Sequence, residues 1–140
     1  MKFKKVNHED YIYLLIRRLV LVADRDNLPS LPSEIMTSLD NGSAHLFVGE
    51  RCGAVIHPVV EDGRKCMYVS FGWSDTGSAI DDYSKAYEIL ARSIGAERIV
   101  AVSRRLGVLR LWRKHGFKKV GYNEQGLIKI EKVIEVVTDE

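Results

Sequence analysis

The chain has 140 residues, 46% of them hydrophobic and 29% charged, with a formal net charge of +2. That balance suits a folded domain with a sizeable core and excludes a disordered chain. The charge does not by itself imply a polyanionic partner, and no apolar run approaches the roughly 18 residues that cross a bilayer.

Met1 to Lys5 is basic and is followed by an amphipathic, charged segment, so no signal peptide is expected and the expected location is cytoplasmic. Lys2 to Val6 predicts a short strand. Asn7 and Asp10 are start signals for a helix reaching about Ala23, with Tyr11, Leu15, Leu19 and Val22 on one stripe. In "SLPSEIMTSLDNG", Pro32 opens a second helix and Asn41-Gly42 stops it. Three strands follow, His45–Gly49, Ala54–Val60 and Lys65–Gly72. They are joined by "ERCG" and "EDGR", both short enough for hairpins, where Glu50 and Glu61 are expected to be solvated.

Ser78 then caps the clearest helix, with Asp81 at capping-box distance. Its stripe is Ile80, Tyr83, Tyr87, Leu90 and Ile94, with alanines beside it, and Gly95 ends it. "RIVAV" has the β-branched content of a buried strand. Arg105 to His115 predicts a helix with Val108, Leu109 and Trp112 inward and Gly116 as its stop. Lys118–Tyr122 and Leu127–Val136 are the last strands, around "NEQG". The order β-α-α-β-β-β-α-β-α-β-β describes a mixed α/β sheet with one core, organised as a single domain over residues 1–140.

"LRLWRKHGF" after "IVAVSRR", together with "ARSIGAERIVAVS" and the order of elements along nearly the whole chain, resembles the GCN5-related N-acetyltransferase (GNAT) family. The resemblance implies the acyl-CoA N-acyltransferase fold, with a gap where the fourth and fifth strands splay at a bulge. It implies acetyl-CoA or another acyl-CoA as co-substrate and a small-molecule or protein amine as acceptor. Val69 falls where the family's strand valine pairs with the pantetheine arm. Ser74, Gly77 and Ala79 fall on the pyrophosphate turn, with Ser78 inside it.

The departures from the family are chemical. Ser74 replaces a basic or amide residue. Asp75, Asp81 and Asp82 surround the turn and oppose a pyrophosphate at a helix N-terminus. Arg104 and Arg105, at the start of the next helix, are the candidates to compensate. Trp112 replaces a tyrosine that reprotonates the departing thiolate, and an indole N–H is no acid near neutral pH.

The remaining candidates come from the residues themselves. His57, on one strand face with Val55 and Val59, is either a packed histidine or a general base for an acceptor ammonium. Ser70 and Tyr68, alternating with Met67, Val69 and Phe71, either flank the same cleft as hydrogen-bond donors or are sheet-surface polars. Trp73 caps the core or covers a cofactor. Cys52 and Cys66 read as reduced thiols; they and the four histidines show no metal-ligand spacing.

Arg98 to Tyr122 holds no Asp or Glu and gathers eight basic residues. It is a solvated basic face or a surface for weak contact with nucleic acid. The functional expectation is acyl transfer from acyl-CoA to an amine. The alternatives are a non-catalytic module of the same fold that binds protein or nucleic acid, and an acyltransferase acting on a nucleic-acid or aminoacyl substrate.

Overall fold

The computed structural model describes residues 4–75, 79–103 and 106–134, with the side chains of 79–83 and 106–108 outside that description. Its elements are β1 (Lys4–Val6), α1 (Ile12–Asp26), α2 (Leu31–Asp40), β2 (His45–Gly49), β3 (Cys52–Glu61), β4 (Arg64–Ser74), α3 (Ala79–Ser93), β5 (Arg98–Ser103), α4 (Leu106–Arg113), β6 (Lys118–Tyr122) and β7 (Ile128–Val133). A single turn of 3-10 helix, His8–Tyr11, precedes α1. The helix therefore starts later than the sequence suggests. Asn7 caps the tighter turn, its side chain accepting from the Glu9 N–H, and α1 runs on to a left-handed stop at Asn27.

The seven strands form one sheet in the order β1-β2-β3-β4-β5-β7-β6. All pairings are antiparallel except β4 with β5, which α3 connects as a parallel crossover. The two expected hairpins are present. Arg51 takes a left-handed φ of 61° in the first, and Asp62 and Gly63 take 54° and 74° in the second. Two consecutive positive φ values match the twist of the flanking strands, which is why a two-residue turn suffices there.

Each face of the sheet carries its own core. On one, Leu15 and Leu19 of α1 and Ile35 and Leu39 of α2 pack against Leu46, Val55, Phe71 and Trp73. On the other, Tyr87 and Ala91 of α3 and Leu109 of α4 pack against Ile56, Met67, Val69, Ile99 and Ile130. The helical stripes put these side chains inward, as their spacing predicts.

β4 departs from simple alternation. Ile56 pairs with Val69 and Val55 with Phe71, so Ser70 is an extra residue in β4. Phe71 therefore faces α1 and α2, opposite to Met67 and Val69, and not with them as a regular strand would have it.

Candidate active site

The ladder between β4 and β5 runs from Cys66–Arg98 to Val69–Ala101 and stops there. Beyond it β4 continues to Ser74 and β5 to Ser103 with no shared register. The stop coincides with the Ser70 bulge, which bends one strand away from its neighbour. A cleft of about 1040 Å³ fills the resulting gap and reaches both faces of the sheet. On the α3/α4 side it is lined by Tyr87, Leu111 and Trp112, and on the α1/α2 side by Arg18, Val22, Glu34 and Ile35. Val69, Ser70 and Ala101 line its base.

The candidate residues divide accordingly. His57, Val69, Ser70 and Ser74 all line this one cleft. Gly77, Ser78, Arg104 and Arg105 lie outside the described residues, as does the side chain of Ala79, whose backbone opens α3. Trp73 is only 8% exposed and packs beside Phe71, so it belongs to the core even though one part of it faces the cleft. Trp112 stacks on Tyr87 with centroids 6.2 Å apart and meets Phe117 edge-on at 4.6 Å. It is a wall of the cleft.

Two features were not expected from the sequence. The first is at the end of β4, where the pyrophosphate turn is expected. Asp75 is ion-paired with Arg18 of α1, and its backbone N–H donates to the Arg51 carbonyl at 2.9 Å. The compensating cation at this carboxylate thus comes from the first helix. Nothing in the local sequence of either residue announces a pair so far apart in the chain.

The second is a polar network on the α1/α2 face of β3, β4, β5 and β7. The Tyr68 hydroxyl donates to Glu61 Oε2 at 2.5 Å, and Lys129 Nζ donates to Glu61 Oε1 at 2.8 Å. Arg98 donates to the Glu61 carbonyl at 3.4 Å and pairs with Glu131 at 3.1 Å. Glu61 is therefore the last residue of β3 and fully engaged, contrary to the expectation of a solvated turn carboxylate. Arg98 is likewise withdrawn from the basic face by these partners, while Arg110, Arg113, Lys114, Lys118 and Lys119 are exposed.

The network sets the charge states. The hydrogen bond from Lys129, followed by that from Tyr68, holds the Glu61 carboxyl below the usual carboxylate range. Burial first, and then the bond to Glu61, pushes the Tyr68 phenol up, and the Glu61 bond raises Lys129. Nearby His45 is lowered by burial, then by Lys5 and His57, so it adds little positive charge beside His57 at neutral pH.

Because folding depresses the Glu61 pKa, its contribution to stability is full above the ordinary carboxylate value of about 4.3 and fades as pH falls through the folded value. Lys129 and Tyr68 are raised, so their contributions hold below about pH 10 and fade above it. Glu61→Gln should accordingly lower the melting temperature by a constant margin between roughly pH 6 and 9, with the margin closing in acid. Melting curves across pH check this, and a margin undiminished near pH 3 would mean that Glu61 stabilises through shape alone.

The cleft's other charges are mostly paired internally. Arg18 is held by Asp75, Arg25 by Asp26 and Lys129 by Glu61. Glu34, which accepts from Ser30 Oγ at 2.9 Å, and Glu124 are the lining carboxylates for which the described residues show no ion pair.

A sheet split between two parallel neighbours, with the gap crossing it and a crossover helix beside it, is a distinctive arrangement. Solved structures superpose on nearly all of this chain. The fold is that of the GCN5-related N-acetyltransferases. Arylalkylamine N-acetyltransferase 2 from Aedes aegypti matches with a TM-score of 0.69 at 12% identity, over 96% of this chain and 99% of its own. Tetrahymena GCN5 matches with a TM-score of 0.65 at 15% identity over 100% of both chains. A GNAT-family acetyltransferase from Streptococcus agalactiae matches with a TM-score of 0.66 at 12% identity over 96% of both. No family model and no curated protein sequence matches the chain. The GNAT resemblance therefore rests on shape, together with short motifs such as the Gly116-Phe117 ending of α4. Among the described residues no helix is long and apolar enough to cross a membrane, and no cluster of metal-binding side chains is present.

Proposed function

We propose that this protein transfers an acetyl or related acyl group from acyl-CoA to an amine. The observation that carries the reading is the gap between β4 and β5, open to both faces. A thioester arm threaded along its base meets an acceptor arriving from the opposite side. In this reading the backbone around Val69 holds the pantetheine arm. The turn that begins at Ser74, with Gly77, Ser78 and Ala79, takes the pyrophosphate on its N–H groups. Arg18 supplies the positive charge that Ser74 lacks, alongside Arg104 and Arg105.

His57 removes the proton of the acceptor ammonium. His57 releases that proton to solvent, and the neutral amine nitrogen then attacks the thioester carbon. A C–N bond forms, His57 takes a second proton from the nitrogen of the adduct, the C–S bond breaks, and the electron pair leaves on sulfur as thiolate. The imidazolium formed at His57 can return its proton to that thiolate, which removes the need for an acid at Trp112. Ser70, at the bulge, donates to the reacting carbonyl, where a positioned donor acts on developing charge. Positioning two reactants in one cleft supplies much of the acceleration in such a direct transfer. Glu34 and Glu124, for which the described residues show no ion pair, favour a cationic acceptor, as an amine is at neutral pH.

Calorimetry with acetyl-CoA tests this. The parent should bind, and Arg18→Ala should bind about tenfold more weakly, the scale of one lost charge-assisted hydrogen bond. Asp75→Asn releases the Arg18 guanidinium and should tighten binding. Both gaps should shrink as salt rises. Absence of binding by the parent and by Asp75→Asn alike would end the acyltransferase reading. The acidic turn would then favour a non-catalytic module, and an oligonucleotide titration against the exposed basic residues of 110–119 would be its first test.

A further inference from the structure

We propose that Tyr68 holds the acceptor nitrogen during transfer, through the oxygen of a hydroxyl whose own proton is committed to Glu61. This rests on the acyl-transfer reading above.

The placement comes from the strands. Tyr68 pairs with His57 across β3 and β4, so the two side chains stand on one face with Cβ atoms about 4.5–5.5 Å apart. Tyr68 immediately precedes Val69, the last residue of the β4–β5 ladder, and so sits at the base of the gap on the α1/α2 side. Both His57 and Tyr68 line the cleft, while Glu61 stands behind them.

The chemistry comes from the hydrogen bonds. A phenol has one proton and two acceptor positions. The proton of Tyr68 goes to Glu61 Oε2 at 2.5 Å. Lys129, bonded to the other carboxylate oxygen at 2.8 Å, keeps Glu61 ionised, so the carboxylate has no proton to offer back. Lys129 also bonds the Tyr68 oxygen and takes one of its two acceptor positions, so toward the cleft Tyr68 presents the remaining lone pair and accepts an N–H.

A neutral primary amine attacking a thioester points its lone pair at the carbonyl carbon and keeps two hydrogens. One passes to His57 as the tetrahedral adduct forms and collapses. The other stays on nitrogen and is the one Tyr68 receives. Tyr68 itself neither gains nor loses a proton. A neutral secondary amine or an alcohol has a single hydrogen, so only one of the two partners is satisfied. Tyr68 thus discriminates by hydrogen count, and its deletion relaxes a choice between acceptors.

The test uses propylamine, N-methylpropylamine and 1-propanol at high concentration, with acetyl-CoA and thiol release as the signal. The parent should favour propylamine in kcat/KM. In Tyr68→Phe the preference over N-methylpropylamine should fall about tenfold, with acetyl-CoA affinity nearly unchanged and the melting temperature lowered only as far as the loss of the one hydrogen bond to Glu61 requires. A second variant, Glu61→Gln, keeps the Tyr68 ring but unsettles its proton, and should relax the same preference by a smaller factor. An unchanged preference in Tyr68→Phe overturns the proposal. So does a parent that binds acetyl-CoA but releases thiol with none of the three compounds, or favours N-methylpropylamine. A parent that does not bind acetyl-CoA overturns the acyl-transfer reading first, and the role of Tyr68 with it.

Discussion

Acyl transfer by His57→Ala should run roughly 10²- to 10⁴-fold slower than in the parent, the usual range for a positioned general base. The loss should fall on the chemical step. His57 lies on the α1/α2 side of the sheet, by strand parity with Val55, while the expected pyrophosphate turn follows β4, so acetyl-CoA affinity should be retained. The pH–rate profile is the sharper readout. The parent should lose rate on the acid side as the base becomes protonated, and that limb should vanish in His57→Ala. A variant with the parent's profile would remove His57 from the mechanism and leave a chain of water molecules as the default base.

Gly53→Ala should be strongly destabilising, although it adds one methyl group to a strand. A Cβ on Gly53 would stand 2.1 Å from the nearest ring atom of Trp73, closer than any real contact allows. Trp73 is nearly buried against Phe71, so the indole has nowhere to retreat except toward the cleft that it also lines. Overpacking of this kind costs about 1–3 kcal/mol, and occasionally more. Urea unfolding should place Gly53→Ala at or above the top of that range. In a Trp73→Leu background, where the ring is gone, adding Gly53→Ala should cost much less. Equal costs in the two backgrounds would show that the methyl is accommodated by a backbone shift, and that the ring is not the obstacle.

Much of the architecture is legible in the sequence. The helices α1, α2, α3 and α4 follow apolar stripes at three- and four-residue steps, and Asn41-Gly42, Gly95 and Gly116 mark three of their ends. The hairpins on either side of β3 follow from short polar connections. What was not legible depends on partners distant in the chain. "SFGW" alternates in size equally well in either phase, so no composition marks Ser70 as the extra residue. Glu61 borders "EDGR" and looks like part of a turn. Only the placement of β7 beside β5 brings Lys129 to it. Arg18 reads as one more charge on the solvent side of an amphipathic helix, and the fold alone sets it against Asp75. Residues close in the chain declare themselves by period, whereas electrostatic partners at the site are joined by topology.

The Ser70 bulge has a consequence for how the chain could change over time. Deleting that residue would leave Val69 and Phe71 adjacent, with every flanking side chain still on its present face and both cores intact. β4 would then be straight enough to continue beside β5 past Ala101, and the sheet would close where it is now split. A single codon thus separates a scaffold with a cavity through its middle from a continuous, inert one of the same topology.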